Sequence, residues 1–441
     1  MPQLAEEHIW VMEEFVSQQK YKKLLRSTVA SVALVGAVAS VSTTSAEAGG
    51  FALREQSAIG QGASFAGIAA GGGLSSMFWN PATLTQVGGM STESVASFVI
   101  PRTDVNLTSG TPTTADPGDV GLDALVPASY MGAQLTEDLF VGLSVNAPYG
   151  MATKARNPSG SSFHAATSKI FTMDAKVNIA YRINDAFSVG VGIGAMYTDV
   201  RMTAARPGFF SSELKGDDWA PTFSAGVTIK PTDSTTIGIG YRHKTKLVLS
   251  GTEFLTLTTP NTNPITANLT LPSTVTVGLR QEISDRFAFL AGFEYTRWSE
   301  LKDPISINGS VVGTSLLFGY KDGWYASVGG EYKHNENLTL RGGLGWEKSP
   351  IPDNHRNLRL PDADRLWASL GASYNVSDKF SVDVGYSHLF IKDDVKVSGS
   401  NAFGAYTGTA DSAADIVSVA MRYKWKPDPL FANDDPIDRK Y

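Results

Sequence analysis

Residues that could carry covalent or metal chemistry are few in this chain. Its 441 residues include no cysteine and six histidines. His164, His243, His334, His355 and His388 stand far apart, without the spacing of a metal site. No Gly-x-Ser-x-Gly elbow presents a nucleophile. Gly190, Gly192 and Gly194 recur at every second residue, a strand pattern, whereas a nucleotide fingerprint needs G-x-G-x-x-G opening a helix. No enzymatic activity, catalytic residue, metal site or cofactor is expected. What does recur is charge at one phase of alternating segments: Arg182, Arg242, Lys244, Arg280 and Arg341, with Asp174, Glu294, Glu331, Glu347 and Asp383. Such a set can form a balanced network in a polar interior, and single cations within it can contact a ligand. The pattern leaves both readings open.

The segments that position these charges have period two. Residues 171–183 put Phe171, Met173, Ala175, Val177, Ile179, Tyr181 and Ile183 on one face and Thr172, Asp174, Lys176, Asn178 and Arg182 on the other. Residues 273–280, 287–298, 338–347, 366–376 and 415–425 alternate likewise. Alternation suits a soluble sandwich as well as a membrane barrel. Strands of ten or more residues, aromatics at strand ends (Tyr181, Tyr241, Trp298, Trp346, Tyr374, Tyr386, Trp425) and full charges on the polar faces favour the barrel. In lipid every backbone polar group must be paired within the protein, and closed barrels with a polar lumen meet that demand. Asn184-Asp185, Ser284-Asp285-Arg286, Asn335-Glu336-Asn337 and Ser377-Asp378-Lys379 read as tight periplasmic hairpins. Residues 207–218, 251–271 and 349–364 read as long extracellular loops.

Composition sharpens the class. Charged residues make up 18%, below the usual figure of about 25%, with 10% aromatics, 43 glycines and a mean hydropathy of −0.08. A disordered chain and a disulfide scaffold are excluded, and so is a bundle of membrane helices, since each span needs about 20 consecutive apolar residues. The one apolar run, residues 28–41, follows Lys20, Lys22, Lys23 and Arg26 and precedes Ala46-Glu47-Ala48, the order of a secretory signal peptide. Cleavage is expected after Ala48. Residues 1–19 carry an acidic stretch foreign to such signals and read as a start-site extension, so 1–48 form the leader, with the signal at 20–48. Without its four basic and five acidic residues the net charge is −5, too mild to suggest a nucleic-acid partner. Export without cysteine fits a bacterial envelope protein.

Residues 49–89 form a glycine-rich head with a short helix expected near 57–70, residues 90–425 the strand-rich body, and residues 426–441 a tail. Pro427 and Pro429 stop the last strand, so the tail is expected to be flexible and periplasmic. At about 24 residues per strand and connection the body holds about fourteen strands. The fold class is therefore all-β: a transmembrane antiparallel β-barrel of about 14 strands. Its lumen would leak, so the head is assigned as a hatch within it.

Three motifs, in order, carry a resemblance. GGFALREQSAIGQGASFAG with Asn80-Pro81-Ala82 resembles the N-terminal hatch of the FadL family, the outer-membrane long-chain fatty acid transporters. So does LPSTVTVGLRQEISDRFAFLAGFEYTRWSEL, and so, most closely, does residues 329–390, with SPIPD and LPDADRLW. The resemblance implies a 14-stranded barrel in a Gram-negative outer membrane, an N-terminal hatch, and a lateral exit through a kinked third strand. It implies passive carriage of long-chain fatty acids or, as in some relatives, hydrocarbons, without a cofactor. The partners would be a hydrophobic small molecule and outer-membrane lipid, the protein a monomer. A general porin or surface receptor is the alternative, although a porin would not need a hatch.

Site residues follow. Residues 139–151 alternate up to Ala147 and then meet Pro148, Tyr149 and Gly150. Proline cannot donate to a ladder and glycine permits a bend, so either pairing is interrupted here or the strand ends in a turn. Asn146, Pro148, Tyr149 and Gly150 are placed at the exit. Phe209, Phe210 and Leu214 form a candidate apolar landing groove, or pack a loop. A carboxylate head group needs a cation or donors. The resemblance points to Lys321, in YKDGW, and to the region of Arg201, although strict alternation from Phe187 puts Arg201 on the lipid phase unless a bulge intervenes. Phe51 matches the family's hatch phenylalanine in the ligand pocket, so ligand binding would move the hatch. Asn80, Pro81 and Ala82 would fix the turn that holds the hatch to the barrel.

Overall fold

The structure, a computed structural model, describes residues 49–110, 115–156, 159–160, 162–206, 210–256, 260–301, 304–311, 315–401, 404–426 and 428–430. The expected leader and most of the tail lie outside the described residues. Fourteen strands make one antiparallel sheet. In chain order they are β1 (Met90–Gly110), β2 (Ala124–Gln134), β3 in two pieces (Leu139–Asn146 and Gly150–Lys154), β4 (Thr167–Asn184), β5 (Phe187–Arg206), β6 (Phe210–Thr232) and β7 (Thr235–Arg242 and Thr245–Thr256). Then follow β8 (Pro260–Leu271 and Thr274–Glu282), β9 (Phe287–Thr296), β10 (Gly323–Lys333), β11 (Leu338–Lys348), β12 (Arg365–Asn375), β13 (Phe380–Ile391) and β14 (Gly404–Lys426). Each pairs with its neighbours, and β1 pairs with β14 from Met90↔Lys426 to Gly110↔Tyr406, which closes the barrel.

The two phases of each strand go where period two sends them. On β4, Val177, Ile179, Tyr181 and Ile183 are exposed outward, while Thr172, Asp174 and Asn178 are buried toward the lumen. On β14 Val417, Met421, Tyr423 and Trp425 face out. An apolar outer face suits lipid, and the paired strands satisfy their backbone groups within the sheet. All four short polar connections are tight hairpins at one end.

At the other end the described residues of two expected loops, 210–218 and 251–256 with 260–271, are strand instead. β5 pairs with β6 out to Arg206↔Phe210, and β7 with β8 out to Thr256↔Pro260. These hairpins extend past the alternating apolar belt, so segments such as Ser-Ser-Glu-Leu-Lys-Gly-Asp-Asp carry no apolar phase to read. Residues 349–364 are a loop, as expected, but one folded inward, with Ile351, Leu358, Leu360 and Ala363 buried.

The head fills the lumen. Its expected single helix is one α-turn, Ala58–Gln61, capped by Ser57, and a 3-10 turn, Ile68–Ala70. Ser64, Phe65 and Gly67 lie between them at positive φ, which breaks the helix. Asn80 caps a further 3-10 segment, Pro81–Gln86: its Oδ1 accepts from Ala82 N at 3.0 Å. Its Nδ2 donates to Ala69 O at 2.7 Å and to Val227 O of β6 at 2.9 Å, tying the hatch to the wall. Such backbone approach requires bare strand positions; a Cβ on Gly240 would lie 1.8 Å from the Trp79 carbonyl oxygen. Gly240→Val should therefore unseat the hatch while leaving the ladder intact. The expected result is a barrel that still migrates as folded on unheated gels but shows large steady conductance in planar bilayers.

Candidate functional site

The wall is broken at the third strand. β3 pairs with β2 only from Gln134↔Phe140 to Ser129↔Val145, although β2 continues beside β1 to Ala124. On the other side the β4 register passes from Asn146↔Asp174 to Gly150↔Phe171, one residue longer on β3, which is a bulge. Pro148 and Gly150 thus interrupt the strand without ending it, and Asn146, Pro148, Tyr149 and Gly150 all border the break.

The hatch supplies the missing partner. Leu53 N donates to Pro148 O and Gly150 N to Phe51 O, both at 2.9 Å, so that Ala52 bridges Tyr149 as a short antiparallel strand. The Gln56 amide serves both backbone groups of Ala147: Nε2 donates to its carbonyl at 2.8 Å and Oε1 accepts from its N–H at 3.3 Å. Asn146 Nδ2 donates to Gln56 Oε1 at 3.2 Å and to the Tyr130 hydroxyl at 2.6 Å, which in turn donates to Gln56 O.

The same hatch segment faces a cavity. Phe51 is buried, its ring edge-on to Trp298 at 4.7 Å and to Tyr149 at 6.1 Å. It lines an apolar slot of about 60 Å³ with Ile170, Met202, Leu214, Leu249 and Phe318 among its walls. Phe51, Met202, Leu316 and Phe318 also line a wider cavity of about 520 Å³ at the long-hairpin end, so the two adjoin.

Charges in the lumen pair off, as the network reading expects. Arg54 of the hatch donates to Glu294 at 2.8 Å and to Glu347 at 3.0 Å, and lies 4.0 Å over the Tyr325 ring. Glu347 also accepts from Gly49 N, and Asp362 accepts from Gly50 N. Arg280 and Arg341 share Glu331, Arg422 meets Asp383, and Lys176 meets Asp174. Arg182 holds Thr85 O, and Arg242 lies 4.2 Å over Phe78. Glu55 is fully buried, and neither of its carboxylate oxygens has a hydrogen-bond partner among the described residues. Burial pushes its pKa up to about 7.

Of the residues expected from sequence, the structure brings Phe51 and Leu214 to the slot and Asn146, Pro148, Tyr149 and Gly150 to the break, with Asn80, Pro81 and Ala82 at the hatch anchor. Two expected ligand cations are elsewhere. Arg201 lies on the outward phase, 49% exposed and paired with Glu213, because β5 and β6 stay in register with no bulge between them. Lys321 is exposed at a separate polar cleft with Asp322, Asp353 and Arg356. Phe209 lies outside the described residues, and Phe210 is described in its backbone alone. Trp298, expected at a strand end, is turned inward onto Phe51, 2% exposed. Arg54, Glu55 and Gln56 were not singled out, though three adjacent polar side chains in a head of small and apolar residues were a legible signal.

A closed barrel with a lipid-facing exterior, an internal hatch and a hatch-filled break in its wall defines a plugged outer-membrane transport barrel. The family model described as outer membrane protein transport protein (OMPP1/FadL/TodX) matches residues 39–425, and the chain belongs to that family. It is 25% identical over 439 residues to a long-chain fatty acid transport protein of Escherichia coli O6:H1, covering 89% of this chain and 97% of that one. A Pseudomonas aeruginosa FadL homologue superposes with a TM-score of 0.79 at 24% identity, covering 86% of this chain and all of the other. The Ralstonia pickettii toluene transporter TbuX superposes with a TM-score of 0.63 at 18% identity, covering 84% of this chain and 100% of the other.

Because burial holds the Glu55 carboxyl above its ordinary value of 4.5, ionisation opposes hatch seating. The Glu55 contribution to seating is fully present below about pH 4.5, weakens as pH rises and is lost above about pH 7. Leak openings in bilayers should become more frequent over that interval, and Glu55→Gln should flatten the dependence.

Proposed function

We propose that this chain carries long-chain fatty acids or similarly hydrophobic compounds across the outer membrane by passive diffusion, as a monomer, with hatch movement and a lateral exit between β2 and β3. The observation that carries this reading is that three consecutive hatch residues do two jobs: Phe51 lines the apolar slot, while Phe51 O and Leu53 N close the break in β3. A ligand that displaces Phe51 pulls on the bonds that seal the wall.

The ligand's physics accounts for a side exit. An acyl chain gains about 0.8 kcal/mol for each CH₂ removed from water, so a wet pore would raise a barrier that grows with chain length. An apolar slot opening sideways into the membrane keeps the chain dry. A ligand captured among the long hairpins would enter the wide cavity, pass Phe51 into the slot, shift the hatch and leave at Ala147–Gly150. The names of the Escherichia coli and Ralstonia pickettii relatives, for long-chain fatty acid and toluene, support a hydrophobic substrate. No chemical step is required of the protein.

In a host lacking its own transporter, this chain should raise uptake of labelled oleate or of toluene; no gain with either would contradict the proposal. Replacing Pro148 and Gly150 together by Val should abolish that uptake with the barrel still folded. Unchanged uptake would refute the exit.

A further inference from the structure

Arg359 belongs to the inward-folded loop and reaches across the barrel mouth to the start of β4. Its Nη1 donates to Ser168 Oγ at 3.0 Å and more weakly to Thr167 O at 3.5 Å, and its Nη2 donates to the carbonyl of His164. All three acceptors are neutral. No carboxylate pairs with Arg359 among the described residues, whereas Arg54, Arg280, Arg341, Arg356 and Arg422 each have an acidic partner. A cation removed from water without a counter-ion is costly. Burial lowers its pKa only to about 10, so it keeps its charge at neutral pH.

The side chain lines the wide cavity, and among the described residues no acidic one lines it. His164 walls it too; its Nε2 has no hydrogen-bond partner among the described residues, and burial followed by the charge of Arg359 holds its pKa down near 4, so it adds no charge at neutral pH. Among the described residues Nε makes no hydrogen bond, so donor capacity remains on the guanidinium for a carboxylate oxygen. Other walls of the same cavity are Phe51, Met202, Leu316 and Phe318, which continue into the apolar slot.

We propose that the wide cavity binds the carboxylate of an anionic amphiphile on Arg359, with the ligand's apolar chain passing Phe51 into the slot. The assignment rests on the transport reading above and narrows it: the preferred substrate is an ionised long-chain acid, and the protein's missing counter-ion is the ligand itself. Arg359, and not Lys321 or Arg201, is then the residue that separates acids from neutral hydrocarbons.

The test is equilibrium binding of radiolabelled palmitate and of hexadecanol, equal in chain length and differing in the head group, to the purified chain in a short-chain detergent. Palmitate should bind at least tenfold more tightly than hexadecanol. Arg359→Gln should remove that preference by weakening palmitate alone, and Arg359→Lys should keep part of it. Folded migration of both variants on unheated gels is the control. Equal weakening of both ligands by Arg359→Gln would reduce the arginine to a structural tie, and no change for either would place the head group elsewhere; each overturns the inference. Binding of neither ligand by the unaltered chain would instead contradict the transport reading.

Discussion

At membrane depth a backbone N–H or C=O that finds no partner in the protein finds none at all, and the stretch Ala147–Gly150 cannot obtain partners from β2. The hatch provides them, through the Phe51–Leu53 strand and the Gln56 amide. The barrel wall is therefore complete only while the hatch is seated. Net, each such bond is worth about 1 kcal/mol, so the seal is a matter of a few kcal/mol. Burial of several CH₂ groups of a ligand, at about 0.8 kcal/mol each, is of the same order. A hydrophobic ligand can thus drive the opening without any other energy source.

The rest of the lumen keeps the hatch in place elsewhere while its first residues remain displaceable. Asn80 ties the Pro81–Gln86 turn to β6, and bare strand positions such as Gly240 let the hatch backbone lie against the wall. Arg54 anchors between Glu294 and Glu347. Next to that anchor Glu55 is buried without a hydrogen bond, an opposing element that limits how firmly the N-terminal segment is held. The design is a fixed plug with a loosened leading edge.

Much of this was legible in the chain. The alternation of residues 171–183 set both faces of β4, the four short polar connections set the hairpins, and Pro148-Tyr149-Gly150 marked the break, because strand period and proline chemistry are local. What was not legible depends on distance or on water. Strand ends beyond the bilayer meet water on both faces and lose their alternation, so residues 207–218 and 251–271 read as loops. Arg201 showed its outward phase in plain period two, and the structure keeps that phase over the family likeness. Gln56 and Arg359 take their roles from partners 91 and 195 residues away in sequence, which no local pattern encodes.

The claim on which everything else turns is that Phe51–Leu53 must leave β3 for a substrate to pass. Ala52 and Tyr149 face each other as a non-hydrogen-bonded antiparallel pair, a geometry that accepts a disulfide, and the chain has no cysteine of its own. The decisive measurement is substrate uptake by the Ala52→Cys, Tyr149→Cys double variant, oxidised and then reduced. Loss of uptake on oxidation, restored by reductant, is the predicted result. Uptake by the fully cross-linked protein at the reduced rate would contradict the account.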